Sequence, residues 1–273
     1  MVCWRCLYLF LLSLLLIGRN EATGCTTQEA TSVVDFQKMG GHFFTLAPEF
    51  SHLERTRKGG TKQDGWLVGA KFNYDHIKRY KIYWGVEALY SSGELRGKNR
   101  EKDRIHSYFS NAWAEANIGY TLASKCAPYY SFTPYIGGGY FWDRNHFHRP
   151  SPLEVRFSTR FWYGSFGFLS HARVFRCFSA GLNARFKLPW EPKCTISGDP
   201  DHGKTSQQVG ERLFFRIELP LVYTAPLFCN ALQIGLMPFY ESRVFGGREN
   251  YPFDFFETKY RIYGIDLQFI YAY

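Results

Sequence analysis

The residues best suited to chemistry stand in the segment Gly198-Asp-Pro-Asp-His-Gly-Lys-Thr205. Its glycine, four intervening residues, glycine, lysine and threonine have the spacing of a phosphate-binding loop. Such a loop also needs a buried strand before it and a helix after it, so that backbone amides at the helix start face the phosphates. Here the flanks Lys193-Cys-Thr and Ser206-Gln-Gln read as loop, and Asp199 and Asp201 would repel a polyphosphate. The same aspartates offer oxygen ligands to calcium, but a full calcium loop brings six or more with a distal carboxylate. His146 and His148, in Arg144-Asn-His-Phe-His-Arg149, fall short of the three or four ligands of a metal site. Solvated loops are the expectation for all three, with no catalytic set, metal set or cofactor.

A second group of ionisable side chains recurs at alternate positions of long segments: Glu49, Lys71, Lys81, Glu87, Glu115, Arg160, Arg185, Lys187, Arg216, Glu218, Glu241 and Asp266. Between them the chain is oily. Trp66, Val68, Ala70, Phe72 and Tyr74 form one apolar face, followed by Tyr80, Ile82, Trp84, Val86, Ala88 and Tyr90. Ala112 to Leu122 and Leu213 to Tyr223 repeat the pattern. Period two is the signature of a strand. Several runs exceed ten residues, twice the usual strand of about five or six. At the end of the chain, Tyr263, Ile265, Leu267, Phe269, Tyr271 and Tyr273 share a face that runs to the last residue. Lipid on one side and a polar lumen on the other account for such strands.

Ten strands are expected, near 42–52, 65–76, 79–91, 105–122, 128–142, 155–169, 176–188, 211–224, 230–242 and 259–273. Short connections at 77–78, 123–127, 170–175 and 225–229 alternate with longer ones at 53–64, 92–104, 143–154, 189–210 and 243–258. The fold class is all-β: a ten-stranded antiparallel transmembrane β-barrel, built as a meander over 41–273. Its charged faces would point inward. A barrel this narrow is filled by side chains, and charges removed from water must pair or cost several kcal/mol each. A salt-bridged plug is expected, with a narrow porin or channel as the alternative.

Residues 1–24 read as a signal peptide, with Arg5, the apolar run Leu7 to Ile17, and small residues Ala22-Thr23-Gly24. The run is too short for a membrane helix, which needs about 20 residues. Residues 25–40 would be a short periplasmic segment, and an even strand number would leave both termini in the periplasm. After residue 24 the chain carries 31 Lys and Arg against 23 Asp and Glu, a net charge of +8. Its 19% aromatic content suits the girdles of a membrane barrel. Arg55, Arg57, Lys58 and Lys62 fall in the first long connection, and Arg96, Lys98, Arg100, Lys102 and Arg104 in the second. Outer-membrane lipid, lipopolysaccharide phosphates and host sulfated glycans are the partners such charge can engage by ion pairing; nucleic acid is not expected.

The terminal strand resembles the assembly signal of bacterial outer-membrane barrels, and Phe132-Thr-Pro-Tyr-Ile-Gly-Gly-Gly-Tyr140 resembles a strand of small barrels similar to outer-membrane protein A. That likeness implies an outer-membrane location and a structural or adhesin-like role. Asp201-His202 resembles the loop Asp–His pair of ten-stranded outer-membrane proteases, which also need an acidic pair on a facing strand. Only scattered acids such as Glu94 and Glu101 stand in the connections, so a hydrolase is the lesser alternative and no enzyme is expected. Cys25, Cys126, Cys177 and Cys229 would gather at the periplasmic rim, with Cys194 alone in an outer loop. Neighbouring turns lie about 10 Å apart, beyond the roughly 7 Å of a disulfide's Cα atoms. Cross-links to other envelope proteins, free thiols and internal bridges all stay open. Cross-linking would resemble chlamydial envelopes, whose cysteine-rich outer-membrane proteins are joined by disulfides.

Overall fold

The alternation becomes a closed cylinder. A computed structural model describes residues 41–123, 130–175, 177–200, 203–224, 232–247 and 256–273, and the regular structure there is strand. In chain order the strands are β1 (His42–Arg57), β2 (Thr61–His76), β3 (Ile82–Lys98), β4 (Arg104–Tyr120), β5 (Leu122–Ala123), β6 (Tyr130–His148) and β7 (Arg156–Phe175). There follow β8 (Phe178–Ala180), β9 (Asn183–Asp199), β10 (Gly203–Gln208), β11 (Phe214–Glu218), β12 (Leu221–Thr224), β13 (Leu232–Phe245) and β14 (Thr258–Ala272).

These form a barrel of ten antiparallel staves, because three staves are interrupted. β5 continues β4; β8 and β9 both pair with β7; and β10, β11 and β12 make one stave between β8–β9 and β13. Two interruptions face each other, where Gly181 N donates to Pro220 O at 2.9 Å. Proline has no N–H to give the ladder, which explains the break between β11 and β12. β14 pairs with β13 on one side and β1 on the other, from Phe43–Ala272 to Arg57–Thr258, and so closes the ring. His42 and Tyr273 exchange backbone hydrogen bonds at 3.3 and 3.1 Å at the seam.

Each stave sorts its side chains by parity. Trp66, Val68, Phe72, Ile82, Trp84, Val86, Ile118, Ile136, Trp162, Leu188 and Trp190 are exposed on the outer surface. So are Tyr263, Ile265, Leu267, Phe269, Tyr271 and Tyr273, at 37–53%. This belt would be insoluble in water and is matched to hydrocarbon. From Tyr263 to Tyr271 a strand rises roughly 26 Å along itself, or about 20 Å along the barrel axis at the usual tilt, close to the apolar band of such barrels. Aromatic rings mark both edges: Trp66, Trp162, Trp190 and Tyr263 above, and Tyr120, Tyr130, Tyr223 and Tyr273 below. Leu267→Arg is therefore expected to cost about 2–4 kcal/mol, the measured penalty near a bilayer midplane. Urea titration of the barrel refolded into vesicles would register it.

The long connections are shorter than expected. β1 and β2 run to Arg57 and from Thr61, with Gly59 and Gly60 supplying the positive-φ turn (φ 104° and 100°). β3 reaches Lys98, β6 reaches His148, and β9 reaches Asp199. The staves thus rise well above the upper aromatic edge. There both sides of the sheet meet water or other protein, so pairing continues while the apolar-out pattern stops. A bulge between Arg160 and Trp162, opposite Glu191 (φ 42°), marks the level at which one hairpin leaves the belt. At the lower rim Tyr80 has a φ of 54°, so β3 begins at Ile82 and the turn takes in Lys81.

Candidate functional site

Inside the barrel the charged side chains meet near the middle of the belt. Arg216 is the hub: its Nε donates to Glu218 Oε1 at 2.8 Å, its Nη1 to Glu241 Oε2 at 3.3 Å, and its Nη2 to Glu49 Oε2 and Asp266 Oδ2 at 3.3 Å each. Lys71 Nζ lies 2.8 Å from Glu87, 3.0 Å from Glu218 and 3.6 Å from Asp266. Arg185 binds Glu87 and stands 3.5 Å from Glu115, which Lys187 approaches at 3.4 Å. All these residues are nearly inaccessible. A planar, five-donor guanidinium can satisfy several carboxylates at once, which suits arginine to the hub.

Above this layer the lumen is aromatic. Phe141, Phe161, Phe214, Phe245 and Tyr260 pack ring to ring, with centroids 4.8 Å apart for Phe141–Phe161, 5.2 Å for Phe214–Phe245 and 5.4 Å for Phe245–Tyr260. Cations also lie over rings: Lys187 Nζ is 3.6 Å from the centroid of Trp113, which joins the charged layer to the aromatic one, and the Arg216 guanidinium is 3.7 Å from that of Phe239 within the charged layer. Tyr163 OH donates to Glu115 at 3.0 Å. Its ring crosses the glycine stretch of β6, where a Cβ on Gly139 would come within 2.6 Å of Tyr163. That close approach explains a glycine at this inward position. Below the charged layer a cavity of about 410 Å³ opens at the lower rim, with Lys78, Arg79, Lys81 and Arg173 around its mouth and Lys71, Glu87 and Arg185 in its floor.

Ten of the twelve charges expected in the lumen meet there: Glu49, Lys71, Glu87, Glu115, Arg185, Lys187, Arg216, Glu218, Glu241 and Asp266. Lys81 and Arg160 do not, and both are exposed. Lys81 belongs to the turn before β3. Arg160 shares parity with Trp162, because the inward face of β7 is carried by the aromatic Phe161 and Tyr163, which inverts the apolar-out pattern. Arg55, expected in a wet loop, is 5% exposed and turned inward, donating to Gln63 Oε1 at 2.6 Å and to Tyr260 OH at 3.3 Å. Arg243 binds Glu241 and was absent from the expected set. Both continue the parity of Glu49 and Glu241 along their strands, so extending the period past the belt would have found them.

Cys194 is buried within β9, not in an outer loop. Cys177 is half-buried and free at the lower rim; Cys25, Cys126 and Cys229 lie outside the described residues. Asp199 ends β9 and Gly203 opens β10, so the glycine-rich segment is the tip of a hairpin and no helix follows it. Asp201 and His202 lie outside the described residues.

On the outer surface, cations stand side by side. Arg160 pairs in register with Lys193, immediately above the cross-strand pair Trp162–Trp190. Higher up, Lys62, Lys98 and Arg104 form one row across three staves. Glu94, His106 and His148 lie close together on the same outer face; among the described residues they are the group able to hold a metal ion.

The same architecture recurs in solved structures. The outer membrane protease OmpT from Escherichia coli superimposes with a TM-score of 0.54 at 10% identity, over 90% of this chain and 100% of that one. The fold is that of a bacterial outer-membrane barrel. The transport unit of the autotransporter AIDA-I from Escherichia coli also matches (TM-score 0.46, 8% identity, 88% of this chain and 93% of that one). No protein-family model and no curated protein sequence matches the chain. At such identities the likeness speaks for the fold alone.

Proposed function

We propose that this chain is a plugged barrel of the bacterial outer membrane, with both termini toward the periplasm, and that its role is structural and at the surface. The observation that carries the reading is the Arg160–Lys193 pair above Trp162–Trp190. Tryptophan rings sit at headgroup level, so these cations stand where lipid phosphates lie. Like charges directly opposite each other destabilise a sheet, and an anion between them reverses the sign. The phosphates of lipopolysaccharide supply that anion in an outer leaflet. The row Lys62, Lys98 and Arg104 extends the same chemistry upward, toward anionic sugars of the envelope or of a host surface. Layered charges and rings inside the barrel favour a role outside the lumen over transport.

Charge reversal of both residues, Arg160→Glu with Lys193→Glu, is expected to weaken lipopolysaccharide binding at least tenfold. Binding should also fall as salt rises, because ion pairs at a surface are screened. Dephosphorylated lipopolysaccharide should bind the native and reversed barrels alike. Undiminished binding by the reversed barrel at both low and high salt would overturn the assignment. A sulfated glycan that binds through Lys62, Lys98 and Arg104 while lipopolysaccharide does not bind would move the role from anchoring to host contact.

The second reading is a narrow channel, which the cavity at the lower rim favours. A hydrolase is less supported: the sequence offers only scattered acids, such as Glu94 and Glu101, and no acidic pair to accompany the Asp–His segment, and the likeness to a protease is one of fold.

A further inference from the structure

The outer face above the belt carries a second chemistry, independent of the phosphate reading. Glu94 on β3, His106 on β4 and His148 on β6 come from three neighbouring staves. His106 and His148 are direct cross-strand partners, and Glu94 sits two residue pairs lower, opposite Tyr108. Glu94 Oε1 lies 3.6 Å from His106 Nδ1 and 3.8 Å from His148 Nε2. One ligand atom from each residue lies within 4.8 Å of the others. Bonds of about 2.0–2.1 Å around a tetrahedral zinc ion place its donors roughly 3.3 Å apart, so small side-chain rotations close the set.

The surroundings hold the donors in place. Arg96 Nη2 donates to Glu94 Oε2 at 2.9 Å, which leaves Oε1 turned toward the two rings. That hydrogen bond also keeps the Glu94 carboxyl below its ordinary pKa, in the anionic form a metal needs. The His106 amide donates to Ser151 Oγ, and Ser151 Oγ donates back to His106 O, both at 2.8 Å. The turn after β6 is thereby tied to the strand bearing His106. All three side chains are partly exposed, so an ion can enter and water can complete its coordination.

We propose that Glu94, His106 and His148 form a surface site for a borderline divalent transition-metal ion of the zinc class. Two imidazoles and one carboxylate select such ions over calcium or magnesium, which prefer oxygen alone. The partner of His148 is then His106, across the sheet, and not His146, its neighbour in sequence.

The test uses the full tag-free barrel in detergent, titrated with zinc(II) alone by calorimetry, with cobalt(II) absorption as a second readout of coordination. One saturable site is expected. His106→Ala and His148→Ala should each weaken it at least tenfold, Glu94→Gln should weaken it, and His146→Ala should leave it unchanged. Binding should weaken in acid, because protons compete with the metal for its ligand atoms. The heat-dependent gel mobility of each variant verifies that it is folded. The proposal is overturned if native protein shows no saturable binding, if His106→Ala and His148→Ala bind as native does, or if His146→Ala abolishes the site.

Discussion

Arg216→Ala should destabilise the barrel by about 3–5 kcal/mol, the usual cost of removing one partner from a buried ion pair. The guanidinium touches Glu49, Glu218, Glu241 and Asp266. Its removal leaves carboxylates facing one another where water is scarce, and Lys71 can compensate only Glu218 and Asp266. Arg216→Lys should cost less, since the charge remains while the fork geometry is lost. Adding Glu49→Gln to Arg216→Ala should recover part of the loss by removing one orphaned charge. Non-additivity between the two sites, read from urea midpoints in micelles, measures the coupling. If Arg216→Ala unfolds at the native midpoint, the buried network does not hold the staves together.

The second large effect comes from neighbours on opposite faces of β11. Phe214 is 2% exposed and packs against Phe161, Phe245 and Phe141. Phe214→Ala should cost about 3–5 kcal/mol, because it leaves a cavity in a packed aromatic layer. Phe215 points outward beside Tyr240. Phe215→Ala should cost much less, since lipid chains are as apolar as the lost ring and flow into the space. The pair changes the same residue type on the same strand, so only the side it faces differs. Equal losses in urea titrations in vesicles would contradict the assignment of inside and outside.

The fold was legible wherever lipid imposes a rule. Trp66 to Tyr74, Tyr80 to Tyr90 and Tyr263 to Tyr273 alternate because one side of each must be oily, and strand number and direction follow from counting such runs. Legibility stopped at the upper aromatic edge. Above it Leu53 to Arg57, Ser92 to Lys98 and Glu191 to Asp199 remain paired strand, yet nothing forces their outer positions to be apolar, and they read as loop. The pattern assigns Arg55 and Cys194 to loops for that reason. Inside, parity located ten charges, but it could not sort β7, whose lumen face is aromatic. The surface cluster of Glu94, His106 and His148 was hidden because its members are distant in sequence, and only the register across three staves brings them together.

The central claim, that ion pairs below and stacked rings above fill the barrel, is tested most directly by single-channel recording of native protein in planar bilayers. The account predicts a quiet baseline under applied voltage, with no stable unitary steps. Reproducible steps of uniform conductance from a homogeneous preparation would contradict it.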